Sequence, residues 1–333
     1  MTLFSLPRRE YAYLFAILII AIGGTITVSK IVSPKLIGLL PGIDCTTNYG
    51  FINPAPDCES YEAKAEKLEN LEEMLSVRVL ALEKSAAIKS ISIFARDLTT
   101  LRWVGVNESI LYTPASLLKL PLIVTIYKFA EIYPDILTKK ILYDKPIDLS
   151  NQGFFVPPSQ KIELGQSYSV EELIERVSIY SDNEAAALLS MVIDPSFQNA
   201  VYVDLGISLP RENEQFSNYI TAKSYASILR ALYNSSYLSR EYSEKALELL
   251  AQSNFKDGIV AGVPRGIQVS HKFGERGVKD AEGNITSVSF HDCGIVYSNK
   301  QPYSICIMTI GNDFATQRQI IADLSKLVYE NIY

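Results

Sequence analysis

The sequence predicts a mixed α/β (α+β) fold, an antiparallel sheet flanked by helices and joined to an all-helical subdomain. Three observations carry this. Two β-rich runs stand early, at 89–94 and 101–106, and three stand late, at 268–273, 287–297 and 303–310. The stretch between them is dominated by helical periodicity, and a last amphipathic helix closes the chain. Strands at both ends with helices inserted between them imply a sheet closed by distant segments.

The first 60 residues read differently. No residue from Tyr11 to Ser29 is charged, and Leu14 to Ile22 is almost purely aliphatic, enough to cross a hydrocarbon core as a helix. Arg8 and Arg9 precede it, which sets residues 1–10 in the cytoplasm and everything after Lys30 outside. We therefore expect an uncleaved membrane anchor over 11–32; a cleaved signal peptide would show a shorter apolar core and a small-x-small cleavage site. Residues 33–60 lack periodicity and read as an extracytoplasmic linker. Within it Cys45 and Cys58 are expected to pair, since thilos outside the cytoplasm tend to be bonded.

The folded domain is expected over 61–333. Leu68, Leu71, Leu75, Val79 and Leu82 mark its first helix. The two early strands flank Asp97-Leu98-Thr99-Thr100, a hairpin turn. Ser169 followed by Glu172 is a capping box opening a helix whose apolar face is Val170, Leu173, Ile174 and Val177. Residues 221–233 and 239–250 are helical by the same test. Ser298 to Gln301 forms the turn between the last two strands. Cys293 and Cys306 lie on those strands, and whether they face each other depends on register. Ile320, Ile321, Leu324, Leu327 and Val328 give the final helix its buried stripe.

Composition excludes some partners. A net charge of −6 and a pI near 5.2 provide no basic face for nucleic acid. No C-x-x-C or histidine-rich spacing suggests a metal, and no cofactor is called for.

Three short strings carry chemistry. In Ser116-Leu117-Leu118-Lys119 the serine needs a neighbouring base to act as a nucleophile, and a lysine three residues on falls on the same helix face. The apolar run through Ile123 would bury Lys119 and disfavour its ammonium. Ser181-Asp182-Asn183 supplies a hydroxyl and an amide in one turn, although alone it also reads as a helix N-cap. Lys272-Phe273-Gly274 offers a cation and a glycine on a predicted strand.

In order and separation these strings resemble the S-x-x-K, S-D-N and K-T-G set of class A β-lactamases and penicillin-binding proteins. The resemblance runs over about residues 86–333 and implies a β-lactamase-like fold with the active cleft between sheet and helical subdomain. It implies that Ser116 is the nucleophile, Lys119 its base, Ser181 a proton relay and Asn183 a ligand of the substrate amide. Lys272, Phe273 and Gly274 would contact the substrate, Lys272 orienting an anionic one. The backbone N–H groups of Ser116 and Glu275 would form the oxyanion hole. Two departures stand out. Phe273 replaces the threonine or serine that helps hold a substrate carboxylate in the family. Glu214, the candidate for activating the hydrolytic water, keeps the Glu-to-Asn spacing to Asn218 but lacks the family's leucine.

The two histidines, His271 and His291, sit on strands near the site; His291 is either structural or a binding residue. A Ser-His-Asp triad with Asp97 is set aside, because Ser116 already has a lysine at helical spacing. The expected function is a membrane-anchored extracytoplasmic serine hydrolase acting on a β-lactam or related amide. The alternatives are a D,D-peptidase or transpeptidase acting on cell-wall peptides, and a catalytically weak wall-binding or scaffolding protein.

Overall fold

The computed structural model describes residues 49–53, 66–84, 88–148, 155–210, 218–280 and 282–333. The expected anchor over 11–32, the Cys45–Cys58 pair and Glu214 lie outside these residues. Among the described residues no helix is long and apolar enough to cross a membrane.

The first helix, α1 (Glu69–Glu83), buries Leu71, Leu75 and Val79, as its periodicity predicts. It leads to β1 (Ile88–Asp97) and β2 (Trp103–Val106), paired antiparallel. Asp97 makes their turn by accepting the Thr99 and Thr100 N–H groups on Oδ1, so it serves the hairpin and no catalytic histidine. A 3-10 turn over Ala115–Leu118 runs into α2 (Lys119–Ala130), most of which is buried.

The helical half contains α3 (Val170–Ile179), α4 (Asn183–Ser190), α5 (Pro195–Asp204), α6 (Ala222–Tyr233) and α7 (Arg240–Ala251). The capping box at Ser169 and Glu172 is formed as predicted, and Thr221 with Ser224 makes a second one on α6. Two elements escape the periodicity test: α5, started by Asp194 and Pro195, and the short pair β3 (Lys140–Leu142) with β4 (Ser167–Ser169).

Three long strands follow, β5 (Gln268–Lys279), β6 (Ile285–Tyr297) and β7 (Pro302–Gly311), and then α8 (Phe314–Asn331). The five-stranded sheet has the order β2-β1-β7-β6-β5, so β5 is an edge strand. One apolar cluster packs β1, β6 and β7 against α2, α3, α6 and α7; a second packs the opposite face against α1 and α8. The β6–β7 register sets Cys293 opposite Cys306, and the two form a disulfide.

Residues 49–53, within the stretch read as linker, are seated on the domain. Ile52 is buried, and the Glu244 carboxylate accepts the N–H groups of Gly50, Phe51 and Ile52 at 2.6 to 3.1 Å. A separation of 192 to 194 residues hides this contact from local pattern.

Candidate active site

The turn bearing Ser116 is built tightly. Ala115 has a φ of +50°, a left-handed conformation uncommon outside glycine. The turn leans on β5 at Gly274, where an added Cβ would stand 2.9 Å from the Pro114 carbonyl oxygen and 3.0 Å from the Leu117 nitrogen. Only a residue without a side chain permits that approach. From behind, the Tyr225 hydroxyl donates to the Leu117 carbonyl at 3.0 Å. His291 Nε2 lies 3.0 Å from the Thr113 carbonyl oxygen, while its Nδ1 accepts the Thr309 N–H at 3.2 Å. That tautomer is neutral, and burial lowers the His291 pKa to about 4. His291 is therefore a structural support of the turn bearing Ser116.

Lys119 is the first residue of α2 and is buried. Its Nζ donates to the Ser181 carbonyl at 2.5 Å and to Ser181 Oγ at 3.0 Å. Lys272 approaches the same hydroxyl from β5, its Nζ donating to Ser181 Oγ at 2.8 Å. Two ammonium groups sharing one oxygen in a buried site repel each other. Burial, and then the Lys272 charge, hold the Lys119 pKa well below its ordinary value. Lys272 is lowered to about 7 by burial, with Asp292 and Glu275 opposing the fall. An uncharged Lys119 amine has the lone pair that a general base needs.

Ser181 is held in place by its neighbour. Its φ is +56°, and Asp182 follows as the N-cap of α4. Asp182 Oδ1 accepts from Glu184 and Ala185, and Oδ2 accepts the Ile162 N–H at 2.9 Å. Asp182 thus caps α4, Ser181 just before it is bonded to both lysines, and Asn183 opens the helix.

The third string behaves less simply. Lys272 is only 1 % exposed; besides Ser181 it donates to the Phe273 carbonyl at 2.9 Å and lies 4.4 Å from the Phe273 ring centroid. Phe273 is buried, its ring stacked on Phe255 at 4.2 Å. Glu275 Oε1 accepts the N–H groups of Phe155 and Val156 at 3.0 and 2.8 Å. Nothing in the sequence around Glu275 predicts these contacts of its carboxylate. His271 bridges Asp292 Oδ1 at 2.8 Å and the Phe255 carbonyl at 3.1 Å, so its carboxylate partner is Asp292.

Ser116, Lys119, Ser181, Lys272 and Gly274 thus belong to one junction between sheet and helical half. A model described as the β-lactamase enzyme family matches residues 74–332. The chain belongs to that family.

Solved members of the β-lactamase fold share its architecture. An acyl-enzyme complex of a PBP-A variant with penicillin G is 17% identical, covers 80% of this chain and 98% of its own, and gives a TM-score of 0.65. A β-lactamase from Xanthomonas campestris pv. campestris is 18% identical, with coverages of 79% and 99% and a TM-score of 0.65. A class A β-lactamase from Mycobacterium abscessus is 19% identical, with coverages of 77% and 98% and a TM-score of 0.64. These likenesses concern the fold. No curated protein shows significant sequence similarity to the chain.

Proposed function

We propose that this β-lactamase-family chain is a serine hydrolase that acylates itself on Ser116 and then hydrolyses the acyl group of a lactam or related amide. The observation that carries the reading is the convergence of two buried lysines on Ser181 Oγ, with Lys119 three residues after Ser116. In the proposed first step Ser116 Oγ attacks the carbonyl carbon and its proton passes to Lys119. Ser181 delivers a proton to the leaving nitrogen as the carbon–nitrogen bond breaks. The N–H groups of Ser116 and Glu275 hold the oxyanion, and the tight seat of the turn on Gly274 brings these two backbones together. Asn183 receives the substrate amide, and Glu214 activates the water that releases the acyl group.

Intact mass spectrometry of the full chain in detergent, mixed with a panel of β-lactams, tests the reading. An adduct on Ser116, or β-lactam consumption lost in Ser116→Ala, is the expected result. Consumption unchanged in Ser116→Ala rules the mechanism out. Glu214→Gln is expected to prolong the adduct without slowing its formation, and a persistent adduct in the wild type is the behaviour of a penicillin-binding protein acting on cell-wall peptides. Absence of both adduct and consumption favours a wall-binding or scaffolding protein.

The same reading sets the domain outside the cytoplasm on an anchor over 11–32. Support comes from the apolar run behind Arg8 and Arg9, and from the Cys293–Cys306 disulfide, a bond favoured in oxidising compartments. Digestion of the domain by protease added to intact cells or spheroplasts is the expected outcome; protection until lysis would contradict it.

A further inference from the structure

The cation expected to meet an anionic substrate is already engaged. Lys272 has three N–H donors, and the chain supplies Ser181 Oγ, the Phe273 carbonyl and the face of the Phe273 ring to receive them. Next to it, residue 273 is a phenyl ring turned into the core, with no hydroxyl to share in holding a carboxylate.

A carboxylate is nevertheless present, and it belongs to the protein. Glu275 lies three residues along β5 from Lys272; when ionised it favours the protonated forms of both Lys272 and Lys119, while burial raises its own pKa. Its Oε1 holds the N–H groups of Phe155 and Val156, and its Oε2 is buried without a hydrogen-bond partner among the described residues.

Phe155 packs along the same edge strand. Its ring lies 3.4 Å from where a Cβ on Gly277 would be and stacks on Phe314 at 5.0 Å. Phe314 meets Phe290, Phe290 meets Phe255, and Phe255 meets Phe273. The segment at 155–156 and the residue after the glycine are therefore tied together, at their backbone through Glu275 and through their rings by way of the core.

We infer that the cleft is built for an acyl donor that carries no carboxylate beside its scissile carbonyl, a neutral lactam, amide or ester. The inference rests on the proposed acylation of Ser116. A substrate carboxylate would have to displace the internal partners of Lys272 and would find no hydroxyl at residue 273.

Two matched pairs of probes test this on the full chain: penicillin G against its methyl ester, and 4-nitrophenyl hemisuccinate against 4-nitrophenyl butyrate. Within each pair the bond broken is the same. Ser116 Oγ adds to the carbonyl carbon, the lactam nitrogen or the nitrophenolate leaves, and the serine proton goes to Lys119 and onward to the leaving group. The readout is the rate of adduct formation on Ser116 by intact mass, taken from whichever pair labels. The uncharged member is expected to label at least about tenfold faster than the anionic one. Phe273→Thr is expected to narrow that ratio by supplying a hydroxyl. An anionic member that labels as fast as its neutral partner overturns the inference and leaves Ser116 acylation standing. If no probe labels the wild type in a Ser116-dependent way, the acylation reading fails and the inference falls with it.

Discussion

Lys272 shows how one buried side chain links stability to pH. Its folded pKa of about 7 lies below the ordinary 10.5, so between those values the unfolded chain binds a proton that the folded chain does not. Stability must therefore rise with pH across that window, by at most about 1.4 kcal/mol per pH unit for this group. Thermal or urea unfolding of the wild type between pH 7 and 9 should show the rise, and Lys272→Met should lose part of it. A wild-type profile that falls over this range would remove the case for a lowered Lys272 pKa. Much at this scale was legible in the sequence. Lys119 stands three residues from Ser116 in an apolar run, and its burial follows from that. The Glu275 carboxylate was not legible, because its partners Phe155 and Val156 are about 120 residues away and no local pattern pairs them.

At the scale of elements, the site is a joint between a turn, a strand and a helix cap. Gly274 is where the turn and β5 touch backbone to backbone, and the close atoms, the Pro114 oxygen and the Leu117 nitrogen, cannot rotate away as a side chain could. Gly274→Ala is expected to cost about 1–3 kcal/mol, the usual range for an overpacked contact. If Ser116 is acylated as proposed, it should also slow adduct formation there, since relief of the clash moves the Ser116 turn. Urea midpoints together with labelling rates check this, and a variant normal in both would show that the turn yields freely. The strands and main helices were readable because alternation and three-to-four spacing are local. The helix α5 was not, since its buried residues Val201 and Tyr202 are too few to make a stripe. The triplet at 181–183 was readable both as cap and as site; the packing forms the cap at Asp182 and sets Ser181 between two lysines.

For the whole molecule, the order β2-β1-β7-β6-β5 makes β1, β7 and β6 interior: the β1–β7 pairing unites the two ends of the chain, and on its other side β7 forms a second interior pair with β6. The disulfide between Cys293 and Cys306 crosses that interior pair and closes a loop with a sequence separation of 13. A loop of that order contributes about 3 kcal/mol by restricting the unfolded chain. The double variant Cys293→Ala, Cys306→Ala should unfold at lower urea concentration by an amount of that size. An unchanged midpoint would mean that the bridge adds nothing to the ladder. Whether the two cysteines meet was not legible, because a one-residue slip of register would turn one of them to the opposite face.

The grip of Glu244 on residues 50–52 has a mechanical consequence. Tension applied to the chain before Tyr49 would first load three hydrogen bonds to one carboxylate on α7, and then Ile52 in its apolar seat. The Tyr297 hydroxyl, which donates to the Phe51 carbonyl at 3.0 Å, shares that load with the end of β6. Force would thus enter through α7 and the far end of β6 while the turn at Ser116 is held through other contacts, from Gly274, Tyr225 and His291. A pull on the chain before Tyr49 would strain that clasp without bearing directly on Ser116.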